Sequence, residues 1–126
     1  MKFIKETAII LLIVGLSCVP FDNTKLVGRW TIYGTNEFVD FFKDGTYDVV
    51  LPDGNIGERG NYKLKDSVFS IKNAKAYVCG ADYWGRYKLT FYGDDSLAFK
   101  LIDDSCTNRK NDIVGYNPGL KRYKGK

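Results

Sequence analysis

The 126-residue chain contains no histidine, one methionine, three prolines and only three cysteines. Histidine is the commonest general base in enzymes and the commonest ligand of transition metals. Its absence excludes Ser-His-Asp and Cys-His catalysis and leaves carboxylates and cysteines alone to build a zinc site. No phosphate-binding loop, dinucleotide fingerprint or carboxylate pair with acid and base roles occurs. We therefore expect no enzymatic activity, no cofactor and no bound metal.

The net positive charge of the chain is also small. The chain has 19 basic and 15 acidic residues, an excess far below the clustered basic charge of nucleic-acid-binding proteins. Four of the basic residues stand among the last six positions, so residues 18–120 carry 13 basic and 14 acidic side chains. We expect no nucleic-acid partner. Residues 115–126 are interpreted as a basic, disordered tail, with attraction to anionic lipids or glycans as the alternative.

Long apolar runs are missing except near the N-terminus. Lys2 and Lys5 precede an apolar run over residues 8–16, which ends at Ser17-Cys18-Val19-Pro20. A basic start followed by a short apolar stretch and small residues is typical of a secretory signal peptide. A membrane-spanning helix needs roughly 20 apolar residues, about twice this length. The sequence therefore predicts a signal peptide over residues 1–17.

The end of this run resembles the processing site of bacterial lipoproteins. Gly15 and Ser17 are small and lie directly before Cys18, which in such proteins becomes the lipidated first residue. The resemblance implies acyl chains such as palmitate on Cys18, a short tether over residues 18–25, and attachment to a membrane of the bacterial envelope, the outer one where the cell has one. Ordinary signal peptidase also accepts these small residues and would release a soluble protein with a free Cys18 thiol.

Cysteine parity favours the lipoprotein interpretation. Removal of residues 1–17 leaves Cys18, Cys79 and Cys106, and an odd thiol in an oxidising compartment requires an explanation. With Cys18 lipidated, Cys79 and Cys106 can pair. In the chain-entropy model such a disulfide stabilises the fold by about 3.5 kcal/mol. The alternative is two buried free cysteines.

From residue 26 onward, short β-rich runs alternate with turn dipeptides such as Asp44-Gly45, Asp53-Gly54 and Gly93-Asp94. A further turn is expected at residues 65–67, and a short helical turn at residues 107–114. The predicted strands cover residues 26–33, 37–42, 46–51, 61–64, 68–71, 76–79, 86–92 and 96–102. This pattern predicts an all-β fold, a small antiparallel β-barrel of about eight strands.

Alternating apolar residues indicate which face of each strand lies inside. The inward sets are Trp30 and Ile32; Tyr47, Val49 and Leu51; Tyr62 and Leu64; Tyr87, Leu89 and Phe91; and Leu97, Phe99 and Leu101. These aromatic rings either fill the core completely or leave a polar pocket lined by phenols. Acidic pairs at Asp94-Asp95 and Asp103-Asp104 are interpreted as solvated turns.

The ordered segments Gly28-Arg29-Trp30, residues 41–47 and residues 60–64 resemble the small lipocalin-like domains of many bacterial lipoproteins. Residues 85–87, 97–99 and 103–109 add to that likeness. The resemblance covers residues 26–114 and implies a calyx-type barrel. It also implies that Trp30 closes one barrel end with the guanidinium of Arg109 across its face.

Three functions compete at this point. The first is a monomeric binding module for a small apolar or aromatic ligand or a protein partner. Its candidate contacts are the inward Trp30, Tyr47, Tyr62 and Tyr87 and the loop residues Tyr83 and Trp84. The second is an inhibitor of a lysozyme or protease, because small secreted β-barrels with one disulfide recur in that class. The third is an accessory subunit of an envelope complex.

Overall fold

The computed structural model describes residues 23–73, 83–115 and 119–125. A 3-10 turn (Asn23–Lys25) precedes the first strand, and a one-turn α-helix (Thr107–Lys110) and a π-helical turn (Asn111–Gly115) follow the seventh. The strands are β1 (Gly28–Ile32), β2 (Phe38–Phe41), β3 (Thr46–Val50), β4 (Ile56–Lys65), β5 (Val68–Asn73), β6 (Gly85–Tyr92), β7 (Ser96–Asp103) and β8 (Gly119–Arg122). No helix of these three ranges is long and apolar enough to cross a membrane.

The strands form one closed antiparallel barrel. Each strand pairs with the next along the chain, and β8 pairs with β1. Closure removes the unpaired edges that an open sheet would expose. The predicted turns are confirmed, since Gly45, Gly54 and Gly93 all have positive φ, as do Asp66 and Ser67 between β4 and β5. The predicted fold class, an all-β antiparallel barrel of about eight strands, is confirmed.

Most inward positions agree with the alternation of the sequence. Tyr47, Tyr62, Leu64, Tyr87 and Leu89 are all buried, and their neighbours along each strand are more exposed. Successive side chains of a strand point to opposite faces, so these residues share the barrel interior. An eight-stranded barrel has an interior just wide enough for side chains or for one small ligand. In this barrel, packed side chains fill the interior at one end, and a cavity remains at the other.

The two ends differ in how they are filled. The end where the chain enters β1 is called here the closed end, and it also carries the β2–β3, β4–β5 and β6–β7 turns. Trp30 is fully buried at this end, and its Nε1 donates to the carbonyl oxygen of Leu26 at 2.8 Å. The opposite end, called the open end, carries the β1–β2 and β3–β4 turns and the segment between β7 and β8.

The closing strand lies in the segment predicted as a basic tail, so that prediction was wrong for part of residues 115–126. Leu120 of β8 is buried and pairs with Ile32 on one side and Leu97 on the other. Lys121 points outward, so inward and outward residues alternate in β8 although most of its neighbours in the sequence are basic. The barrel domain thus runs to residue 122 instead of ending at 114. The strand predicted over residues 76–79 lies outside the described residues.

A bulge near the end of β7 reverses its alternation. The pairing of β7 with β6 skips one residue beside Arg86, so Asp103, and not Ile102, lies opposite Arg86. A bulge bends the strand and re-aims the side chains that follow it. Asp104, which follows the bulge, therefore turns into the barrel and is buried. The interpretation of residues 103–104 as a solvated turn was therefore wrong for Asp104. Leu101 still pairs with Tyr87 before the bulge, yet it is 39% exposed, contrary to its predicted inward position.

Candidate functional site

The open end of the barrel leads into a cavity of about 670 Å³. Its apolar lining consists of Ile32, Val39, Phe41, Val49, Leu51, Phe69, Ile71, Phe99, Ile113 and Leu120. Its polar lining includes Glu37, Tyr47, Glu58, Arg109 and Asp112. Small-molecule sites in proteins typically have volumes of about 300 to 1,000 Å³, with apolar walls and a few placed polar groups. The cavity has these properties.

The cavity exists because side-chain size is distributed unevenly along the barrel. Branched aliphatic residues such as Val39 and Val49 face inward near the open end, where they leave space. Deeper in the barrel, Phe69 lies edge-to-face against Phe41, with ring centroids 5.8 Å apart, and 4.9 Å from Phe99. Aromatic pairs favour such tilted arrangements over face-to-face sandwiches. These three rings form the floor of the cavity.

A chain of hydrogen bonds runs along one side of the cavity. The Tyr47 hydroxyl donates to Oε2 of Glu58 at 2.9 Å and accepts a bond from Nδ2 of Asn73 at 2.8 Å. Oδ1 of Asn73 accepts a bond from Nη1 of Arg109 at 2.9 Å. Asn73 and Arg109 are each 2% exposed. The network therefore joins β3, β4 and β5 to the helix after β7.

Asp104 anchors the far end of this network. Nε and Nη2 of Arg109 donate to its two carboxylate oxygens, each at 2.8 Å. The Tyr87 hydroxyl donates to Oδ2 at 2.6 Å, and the backbone N–H of Cys106 donates to Oδ1 at 2.9 Å. The side chains of Asp104 and Arg109 are 0% and 3% exposed. A buried charge pair needs such full hydrogen bonding to be tolerated.

The surroundings fix the protonation of these groups. Burial raises the pKa of the Asp104 carboxyl, but hydrogen bonds from Arg109, Tyr87 and the Cys106 N–H outweigh burial and hold that pKa below its usual range. Burial lowers the pKa of Arg109, and the bond to Asp104 reverses this and raises it. Burial, followed by the bond to Asp104, raises the pKa of Tyr87. At neutral pH the ion pair stays charged and the phenol stays neutral.

Gly85 makes room for this carboxylate. A Cβ at that position would lie 2.3 Å from Oδ2 and 2.5 Å from Cγ of Asp104. We expect Gly85→Ala to lower the free energy of unfolding by about 2 kcal/mol, as overpacking does in a filled core. Chemical denaturation measures this loss.

The matched control is Gly115→Ala. A Cβ there would find its nearest atom in Asn111 at 3.4 Å, an ordinary contact. We expect a change of no more than about 0.5 kcal/mol, as for surface substitutions. Equal losses in the two variants would contradict the close approach of Gly85 to Asp104.

Of the four inward aromatic residues predicted as ligand contacts, the structure brings only Tyr47 to the cavity lining. Trp30 and Tyr87 are fully buried within the core. The Tyr62 hydroxyl donates to the carbonyl oxygen of Phe42 at 2.7 Å, at the closed end. Burial, and after it the negative charge of Asp44, raises the pKa of Tyr62.

The two predicted loop residues lie on the outside of the barrel. Tyr83 is 55% exposed. Trp84 is half-buried under two lysines, with Nζ of Lys63 4.1 Å and Nζ of Lys72 5.0 Å from its ring centroid. Neither side chain lines the cavity.

The predicted pair of Trp30 with Arg109 was wrong, because Arg109 is held by Asp104. The guanidinium of Arg122 takes that place, with Cζ 4.0 Å from the centroid of the Trp30 ring. Arg122 also donates to the carbonyl oxygens of Val27 at 3.0 Å and Lys25 at 2.7 Å. A guanidinium over an indole gains about 0.5 to 2 kcal/mol. Arg122 therefore covers the closed end from β8.

Glu58, Asn73 and Asp104 were not predicted as site residues, and Arg109 was predicted in a different role, as the partner of Trp30. Two of them carried a signal, because Asn73 continues the inward face of Phe69 and Ile71, and the longer β4 includes Glu58. A polar residue at an inward strand position requires a partner in the interior. Asp104 carried no such signal, since a bulge sets its direction.

Two of the three cysteines, Cys18 and Cys79, lie outside the described residues. Cys106 is buried, 1% exposed, directly before the Thr107–Lys110 helix. Its predicted pairing with Cys79 and the lipidation of Cys18 stay predictions.

Within the described ranges, no group of three or more Cys, Asp or Glu side chains is arranged to hold a metal ion. Comparisons of the chain with protein-family models, with curated proteins and with solved structures find no match.

Proposed function

We propose that this protein is a lipocalin-like lipoprotein of the bacterial envelope, a non-enzymatic binding module that holds a small apolar or aromatic ligand. The observation that carries the proposal is the cavity of about 670 Å³ at the open end of the barrel. Burial of apolar surface contributes about 25 cal/mol per Å², so the aliphatic walls and the floor of Phe41, Phe69 and Phe99 favour an apolar ligand.

Arg109 and the buried groups that hold it suit orientation of a ligand better than catalysis. Arg109 cannot release its proton in a protein, and the shifted pKa values of Asp104 and Tyr87 keep both in one protonation state near neutral pH. A general acid or base works best with a pKa near the operating pH. Fixed charges and hydrogen bonds instead provide a rigid surface for a ligand that carries one polar group.

The entry of the chain into β1 at the closed end supports an anchor on Cys18. Asn23 precedes β1 at that end, so a lipid five positions earlier would attach near the end opposite the cavity mouth. In this arrangement the ligand would enter from the aqueous side. Pairing of Cys106 with Cys79 would tie the β5–β6 connection to the segment after β7, both at the open end.

Ligand binding is tested with N-phenyl-1-naphthylamine, a neutral aromatic probe whose fluorescence rises in apolar sites. We expect fluorescence enhancement and a rise in melting temperature of several degrees, because a ligand at 100 times its Kd stabilises the fold by about 2.7 kcal/mol. Val49→Phe places a ring into the cavity and should abolish both effects while the barrel stays folded.

The matched control is Val68→Phe, the same substitution on the outer face of β5, which should leave probe binding unchanged. Equal binding by Val49→Phe and the unaltered protein would show that the probe binds elsewhere. No response to apolar compounds, together with a shift on addition of lysozyme or a protease, would replace the binding module by the inhibitor function.

A protein partner at the cavity mouth is the second candidate function. Tyr33, Ile56 and Tyr83 are 53%, 45% and 55% exposed. Tyr33 and Tyr83 belong to connections at the open end, and Ile56 is the first residue of β4 at the same end. Exposed aromatic and aliphatic side chains of this kind are enriched at protein interfaces. An inhibitor or an accessory subunit would contact its partner through these residues. A shift in melting temperature with lysozyme or a protease, and not with apolar compounds, would support the inhibitor, and no shift with either would leave the accessory subunit.

A further inference from the structure

The outer face of β4 to β7 carries a row of lysines with no acidic residue among them. The strand register places Lys65 opposite Val68, Val68 opposite Lys88 and Lys88 opposite Lys100. Neighbouring strands lie about 4.8 Å apart, so the three ammonium groups span about 15 Å across the sheet. All three lysines are exposed, and none is part of an ion pair within the described residues.

On the opposite side of the barrel, a similar row consists of ion pairs. There the register forms a row of Arg29, Asp40, Asp48 and Arg59 across β1 to β4. Each arginine Nε lies 2.7 Å from its aspartate, so this row is neutral. Like charges directly opposite each other destabilise a sheet. The Lys88–Lys100 pair therefore lowers stability, whereas in the other row an arginine neutralises each aspartate of the facing Asp40–Asp48 pair.

Two further lysines extend the basic row toward the open end. Nζ of Lys63 and Nζ of Lys72 lie 4.1 Å and 5.0 Å from the centroid of the Trp84 ring, and the neighbouring Tyr83 is exposed. We call Lys63, Lys65, Lys72, Lys88 and Lys100 the lysine face. It combines five positive charges with aromatic side chains at its rim.

The residue type indicates the kind of partner. Arginine is preferred for a single phosphate or carboxylate, because its planar fork forms two parallel hydrogen bonds. The arginine beside this face, Arg86, is occupied by Asp103. Lysine is a flexible point charge without fixed geometry, which suits many anionic groups at irregular spacing. Trp and Tyr beside lysines are typical of the zone of lipid head groups.

The length of chain before the barrel favours a membrane over other polyanions. Cys18 lies five positions before Asn23, and an extended chain of that length reaches about 17 Å. An acylated Cys18 would therefore keep the barrel within that distance of the bilayer. We propose that the lysine face docks on the anionic head groups of this bilayer, an inference that rests on the proposed lipid anchor.

The test uses residues 18–126 with Cys18→Ser, a form that contains all eight strands and carries no lipid. Its partition onto vesicles of phosphatidylcholine mixed with phosphatidylglycerol is compared with that onto phosphatidylcholine alone. We expect binding to the mixed vesicles only, weakening as salt is added. The variant K65Q/K88Q/K100Q should bind about 100-fold more weakly, because each lysine near an anionic surface contributes about fivefold.

The matched control is K43Q/K110Q/K121Q, which removes the same charge away from the lysine face and should lose less than about fivefold. The melting temperature of K65Q/K88Q/K100Q should not fall, because the Lys88–Lys100 repulsion is removed. Equal losses in the two variants, or equal binding to neutral vesicles, would overturn the proposal. Binding to heparin without binding to mixed vesicles would overturn it in favour of a soluble polyanion.

The outcome is separable from that of the proposed function. A failure on vesicles leaves N-phenyl-1-naphthylamine binding in the cavity unaffected, and loss of probe binding in Val49→Phe leaves the lysine face unchanged. Membrane release of the full chain by Cys18→Ser tests the anchor itself. Retention of that variant in the membrane fraction after a high-salt wash, which screens binding through the lysine face, would contradict the anchor.

Discussion

Asp104→Asn is expected to lower the free energy of unfolding by about 3 to 5 kcal/mol, the usual loss when one partner of a buried ion pair is removed. The amide keeps the size of the carboxylate but leaves the charge of Arg109, 2% exposed, without its counterion. One carboxylate oxygen that now accepts bonds would be replaced by an NH₂ group, which cannot accept the bonds from Arg109 or Tyr87. Chemical denaturation measures the loss.

A double replacement provides the control. Asp104→Leu combined with Arg109→Met removes both charges and should be less destabilising than Asp104→Asn, because no charge stays buried and unpaired. If the free energy of unfolding lost in the double replacement equals the sum of the losses in Asp104→Leu and in Arg109→Met alone, the two side chains act independently and the ion pair has no special role.

The same pair predicts how stability depends on pH. The pKa of Asp104 in the folded protein lies below its value in the unfolded chain, about 3.9. Its contribution is therefore fully present above about pH 5 and is lost as the pH falls through the folded pKa, below about pH 4. The decline in acid should be shallower in Asp104→Asn. Asp44, Asp95 and Asp103 also have lowered pKa values, but they are exposed and contribute little.

Removal of β8 is expected to prevent folding altogether. A chain that ends at Pro118 lacks the strand that pairs with both β1 and β7. It also lacks Leu120, which is buried in the core, and Arg122, which covers Trp30. Two strand edges and the closed end would then be exposed to water. Circular dichroism and a thermal melt should show no cooperative transition.

The control chain ends at Lys124 and keeps every strand. It also keeps the bond from Lys124 to Asp95, 2.7 Å long. Its melting temperature should equal that of the full chain within a few degrees. A cooperative melt of the chain ending at Pro118 would instead support the disordered tail.

Local sequence patterns were enough to predict most of the barrel. Turn dipeptides with glycine placed three of the hairpin turns, and the two-residue period identified the inward faces of β3, β4 and β6. Both signals act between near neighbours in the chain, so they can be read without knowing the fold. The strand β8 was missed because it has only four residues, and its alternation around Leu120 is too short to stand out beside the four basic residues of the last six positions.

The candidate site was much harder to predict. Phenols were expected to line the pocket, but only Tyr47 does so among the described aromatic candidates. The polar groups that matter, Asp104 and Arg109, are five positions apart and gain their roles from a bulge in β7 and from Asn73. A bulge inserts an extra residue into one strand of a pair. Nothing in the sequence of β7 marks where this extra residue falls opposite β6.

By itself, the sequence determined the class of fold, the positions of the turns and the excluded chemistries, because hydrophobic alternation, glycine conformations and residue types are local properties. Only the tertiary structure decided which arginine covers Trp30, which carboxylate is buried, and that a cavity of about 670 Å³ stays open at one end. These depend on strand register and on closure between β1 and β8, which bring together residues more than 90 positions apart. Such distant contacts follow from the packing of the whole barrel.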